Sequence, residues 1–163
     1  MGMDKVLERV KGWRKLAKNI DDDFIKFIVE YIAFNALARK KYGYIVGDNT
    51  LVVNRVGSDI PKDLFKKENL DDLKELMPLK NVRNVKRNSG EKEIKKEDLE
   101  KAENVVKAIY WIRCNLFHGD KEYNTSEKVY SRDAALVKVG YQILKSLNDW
   151  LIENLDKREC EHR

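Results

Sequence analysis

The chain has 163 residues, 42% of them hydrophobic and 37% charged, with eight glycines and two prolines. That is enough apolar material for one packed core without staples, and too little Gly and Pro for a fibrous or low-complexity chain. A net charge of +5 and a pI of about 9.0 suit a polyanionic partner without proving one.

Elements follow in chain order. From Met3 to Asn19, Val6, Leu7, Val10, Trp13, Leu16 and Ala17 recur at three- and four-residue steps, which predicts an amphipathic helix. Asp21 to Asp23 open a second helix. Its Phe24, Ile25, Phe27, Ile28, Tyr31, Ile32, Phe34 and Leu37 cover so much circumference that it should be central, running to about Tyr42 and ending at Gly43. Lys26, Glu30 and Asn35 interrupt this segment, the most apolar in the chain, so no membrane span is expected. Asn35, if buried, needs a partner, and a structural hydrogen bond to a neighbouring helix is the expected one.

Residues 44 to 60 break the helical rhythm. Tyr44-Ile45-Val46 and Leu51-Val52-Val53 flank Gly47-Asp48-Asn49-Thr50, the pattern of an ordered loop or a small hairpin. Pro61 is placed like a helix-start proline for a short helix through Leu64, Phe65, Leu70, Leu73 and Leu76, which Pro78 stops. Between Leu79 and Lys96 the chain carries Lys80, Arg83, Lys86, Arg87, Lys92, Lys95 and Lys96. Such a run is a solvated connector or a basic rim that touches RNA backbone, with Arg83, Lys86 and Arg87 as its candidate contacts.

Helix resumes near Glu97 and continues through Leu99, Ala102, Val105, Val106, Ile109, Tyr110 and Ile112 to Arg113. After a loop from Gly119 to Tyr130, Ser131 and Asp133 open a last helix striped by Leu136, Val139, Ile143, Leu147, Trp150, Leu151 and Leu155. The expectation is an all-α protein: a single domain over 1–163, built as a four- to five-helix bundle with a loop or small hairpin near residues 43–60. Of the two cysteines, Cys114 should be small and buried and Cys160 lies near the end, so neither a disulfide nor a CxxC metal pattern is expected, and a reduced, cytoplasmic setting follows.

The chemistry concentrates in Arg113-Cys114-Asn115-Leu116-Phe117-His118-Gly119. Arg supplies a permanent charge in a planar fork that fits phosphate oxygens, and His transfers protons near neutral pH. On an uninterrupted helix positions five apart lie roughly 140° apart, so the pair converges only if the helix stops near Phe117 and Gly119 supplies the turn. A cation and a glycine are also ordinary helix-end punctuation. Asn115 is either a polar partner of that site or a cap.

This segment, an Arg, four residues and a His with Gly following, resembles the motif of the HEPN (higher eukaryote and prokaryote nucleotide-binding) superfamily. Tyr31-Ile32-Ala33-Phe34-Asn35-Ala36-Leu37 is similar to its buried earlier helix. The resemblance implies a helical bundle and a metal-independent endoribonuclease, of toxin or host-defence type and without a cofactor. It would act as a homodimer whose paired motifs form one site, with an antitoxin or regulatory protein as a further partner. Arg113 and His118 would be the catalytic pair and Asn115 the polar residue inside the motif, with Lys121 near flanking phosphates. One departure is Asp120 where a nucleotidyltransferase-controlled subgroup carries Tyr; the nearest tyrosine is Tyr123. The alternative is a non-catalytic module of the same shape that binds RNA, a nucleotide or a protein.

Overall fold

The computed structural model describes residues 4–81, 93–117 and 127–155, the side chains of 127–130 excepted. In chain order the elements are α1 (Lys5–Lys18), α2 (Asp23–Tyr42) and α3, in which a π-helical Thr50–Val56 runs directly into one α-turn, Gly57–Asp59. Then come α4 (Lys67–Glu75), β1 (Leu79–Lys80), β2 (Glu93–Ile94), a 3-10 turn at Lys96–Glu100, α5 (Ala102–Phe117) and α6 (Glu127–Asn154). The protein is an all-α bundle. None of the described helices is long and apolar enough to cross a membrane.

Helix α2 is the central rod the sequence predicts. Asp22 accepts the Ile25 N–H at its start, and Gly43, at φ 116°, donates its N–H to the Arg39 carbonyl at its end. Phe27, Phe34, Leu37 and Ala38 are fully buried, and α2 packs along α1 on one side and α6 on another. The close approach to α6 depends on Gly140: a Cβ there would stand 2.8 Å from Phe27 Cε2. One continuous apolar cluster joins Val10, Phe34, Leu51, Leu73, Ile109 and Leu147.

Glu30 is buried in the α1–α2–α6 seam with 1% of its surface exposed. Its carboxylate accepts from Arg14 Nε at 2.9 Å and from Asn148 Nδ2 at 2.7 Å, while Arg14 Nη2 also meets Asp149 Oδ1 at 2.8 Å. Burial disfavours the Arg14 charge, but Glu30 and Asp149 outweigh that and raise its pKa. A buried carboxylate thus has its opposite charge and hydrogen bonds beside it, as burial demands.

Four expectations are corrected. Residues 50–59 form α3 rather than a loop or hairpin: Leu51, Val52 and Val56 are buried, and the wide π-helical turn keeps Leu51 and Val56 on the core side despite the run of β-branched Val52, Val53 and Val56. The Gly57 N–H reaches back five residues to the Val52 carbonyl. Pro61 does not start a helix. It opens a turn closed by the Leu64 N–H on its carbonyl, and α4 begins at Lys67. Helix α6 already runs from Glu127, four residues ahead of Ser131, because Glu127 and Lys128 are good helix formers and nothing between them and Asp133 breaks the helix. Finally, the basic stretch is not wholly a connector: its flanks pair antiparallel, Leu79 with Ile94 and Lys80 with Glu93. In α1, Val10 and Ala17 are buried whereas Trp13 and Leu16 of the same stripe are largely exposed.

Candidate functional site

Arg113 lies in α5, four residues before its last residue Phe117, and its side chain reaches Tyr31 of α2. Its guanidinium carbon stands 5.7 Å from the Tyr31 ring centroid and 4.8 Å from that of Phe117, so the cation lies between a buried ring and an exposed one. The Nε atom is buried and has no hydrogen-bond partner, and among the described residues no carboxylate pairs with Arg113. An unmet polar atom at a buried position is uncommon; Asn148 Oδ1, in the Glu30 seam, is another.

The guanidinium opens onto a cleft of about 310 Å³ between α2, the end of α5 and the loop after α2. Tyr31, Asn35 and Arg39 line it from α2 at one-turn intervals, an i, i+4, i+8 row that the helical period dictates. Ile28, Ile32 and Ala36 form its apolar flank and Tyr44 its far rim. Arg39 does not reach into the cleft as a second free cation. Its Nη1 donates to the Tyr44 and Val46 carbonyls and its Nη2 pairs with the Asp48 carboxylate, which fixes the loop that carries Tyr44. Burial pushes the Tyr31 hydroxyl well above its ordinary pKa of 10.0 against the pull of Arg113, so the phenol stays neutral beside the cation. Tyr110, on the same helix as Arg113, is raised as well, first by burial and then by Cys114, with which it hydrogen-bonds.

Asn35 is half-buried and opens into this cleft, where a hydrogen bond to a neighbouring helix was expected. Asn115 goes elsewhere. Two residues on a helix are roughly 200° apart, so Asn115 faces away from Arg113. Its Nδ2 donates to the Lys80 carbonyl at 2.8 Å, and it lines a second groove, of about 460 Å³, between α5, α6 and the Met77–Leu79 segment. There Arg132 Nη2 holds the Leu76 and Pro78 carbonyls at 2.7 and 2.6 Å. Asn115 therefore ties β1 to α5 and is not brought to Arg113. Cys114 is a buried free thiol, as expected. His118, Gly119, Asp120, Lys121, Tyr123, Arg83, Lys86, Arg87 and Cys160 lie outside the described residues.

Among the described residues, no group of three or more His, Cys, Asp or Glu side chains is gathered as metal ligands would be. Compared with protein-family models, with curated proteins and with solved structures, the chain matches none of them.

Proposed function

We propose that the chain is a metal-independent endoribonuclease of HEPN type in which Arg113 binds the scissile phosphate and His118 moves protons. The observation that carries this reading is the Arg113 guanidinium: at the wall of a cleft, flanked by aromatic rings, its Nε unpartnered, and five residues ahead of the chain's one internal histidine. A fork without an internal carboxylate is free to take the non-bridging oxygens of a phosphate, on which charge grows as the RNA 2′-hydroxyl attacks phosphorus.

One histidine cannot serve at once as base for the 2′-hydroxyl and acid for the departing 5′-oxygen. A two-fold homodimer supplies two, because an isologous interface sets equal residues opposite each other. Exposed apolar side chains support such a partner: Ile32 at the cleft wall, with Ile25 on the same helix and Ile45 in the loop after it, on a chain otherwise rich in surface charge. Each histidine then contributes on the order of 10²–10⁴-fold by general acid–base catalysis. An antitoxin or regulatory protein is a further partner of this reading, and a cytoplasmic setting its location.

The test is incubation of the purified protein with single-stranded and structured RNA in EDTA. Products ending in a 2′,3′-cyclic phosphate are expected from the wild type, with none from His118→Ala and a loss of roughly 10²–10³-fold in Arg113→Ala. Equal activity in wild type and both variants would refute the assignment. The same exposed side chains favour, as second reading, a non-catalytic module that binds RNA, a nucleotide or a protein; salt-sensitive RNA binding without turnover would identify its RNA-binding form.

A further inference from the structure

The Phe117 ring has one face on the Arg113 guanidinium, yet 56% of the residue is exposed. A cation–aromatic pair that only stabilised the fold would gain nothing from leaving so much of the ring in water. Across the cleft Tyr44 is exposed too, and its loop is fixed from below by three contacts from Arg39. The half-buried Asn35 side chain also lines the cleft, and its amide offers both N–H donors and a carbonyl acceptor. Two rings, an amide and a phosphate-seeking cation thus share a cavity of about 310 Å³, at the small end of ligand pockets.

We propose that this cleft holds one unpaired nucleotide as a unit, its phosphate on Arg113, its base stacked on the free face of Phe117 with Tyr44 closing the other side, and its edge read by Asn35. The assignment deepens the ribonuclease reading and rests on it for the nature of the phosphate. Unpaired RNA is the chemistry that fits, since stacking takes any base with a free face, and a duplex has none to offer. Arg113 is the cleft's one cation without an acidic partner among the described residues, and no carboxylate lines the cavity, which favours an anionic ligand over a protein segment.

The probe is a short 2′-O-methyl oligoribonucleotide, which cannot be cut by its own 2′-hydroxyl, carrying one 2-aminopurine. Binding to wild type should quench its fluorescence by stacking. Phe117→Ala should weaken binding roughly 5- to 100-fold, and Tyr44→Ala should reduce the quench, with thermal melts of both variants matching wild type. Replacing the 2-aminopurine by an abasic site should cost wild type a similar factor and Phe117→Ala nothing. Unchanged affinity in Phe117→Ala, or loss of self-association in sedimentation with oligonucleotide binding intact, would overturn the proposal and assign the ring to a protein interface. Cleavage of RNA together with an unaffected Phe117→Ala sinks only the base slot. Base-dependent binding without cleavage sinks only the ribonuclease.

Discussion

Two arginines meet α2 at neighbouring positions and are treated in opposite ways. Arg14 lies against Glu30, with Asp149 on its other side and Asn148 completing the carboxylate's hydrogen bonds. Arg113 lies against Tyr31, one residue along, with rings in place of acids and a buried Nε that nothing satisfies. In the first seam both charges are answered internally, although Asn148 Oδ1 there is also left without a partner. In the second, no acid among the described residues answers the cation. A buried cation is informative through its partners, and α2 provides both cases for comparison.

The contrast can be broken most forcefully at Glu30. Glu30→Ala should cost roughly 2–4 kcal/mol in urea unfolding, because the half-buried Arg14 keeps only the exposed Asp149 and Asn148 loses its carboxylate acceptor; a loss under about 1 kcal/mol would mean that the seam is hydrated and not a closed ion pair. On the same side of α2, Gly140→Ala should cost roughly 1–3 kcal/mol, since the Phe27 ring stands 2.8 Å from the new Cβ and is itself fully buried. A neutral result in the thermal melt would show that α6 can slide away from α2.

The Tyr31 side of the comparison is sharpened by pH. Burial raises the Tyr31 pKa in the folded state, so its contribution is complete below the unfolded value near 10 and is lost as pH rises beyond it. Unfolding free energy should decline above about pH 10, and more shallowly in Tyr31→Phe, by up to roughly 1.4 kcal/mol per pH unit. The decline persists in part because Tyr110 and Tyr141 are raised in the same direction. Identical slopes in both proteins would contradict the burial of the phenol. The smallest expected effect on stability is at Arg113 itself. Arg113→Met keeps the stem between the rings and removes an unmet N–H, so stability should stay within about 0.5 kcal/mol while oligonucleotide binding falls. A large destabilisation would make Arg113 a second Arg14.

Much of this was legible in the sequence where periodicity is local. The apolar coverage of α2, its stop at Gly43 and the Leu136–Leu155 stripe follow from a 3.6-residue repeat and one left-handed glycine. Glu30 was visible as an acid inside an apolar run, but its partners Arg14 and Asn148 stand on other helices, and no local pattern pairs them. The stretch 44–60 reads as an ordered loop or small hairpin because its β-branched residues are weighed without the core that Leu51, Val52 and Val56 enter. At the site, Arg113 was identified from its residue type and spacing. Asn35 and Tyr44 joined it only through the tertiary contact of Arg113 with Tyr31, and the two-residue offset that turns Asn115 away could have been worked out from helical geometry in advance.

The Arg39 clasp holds the loop after α2 chiefly by main-chain oxygens at Tyr44 and Val46, and by the Asp48 side chain. Neither the ring at 44 nor the fully exposed Ile45 has any share in that anchorage. Substitution at either position should therefore change the surface that this short bend presents while leaving the clasp beneath it intact.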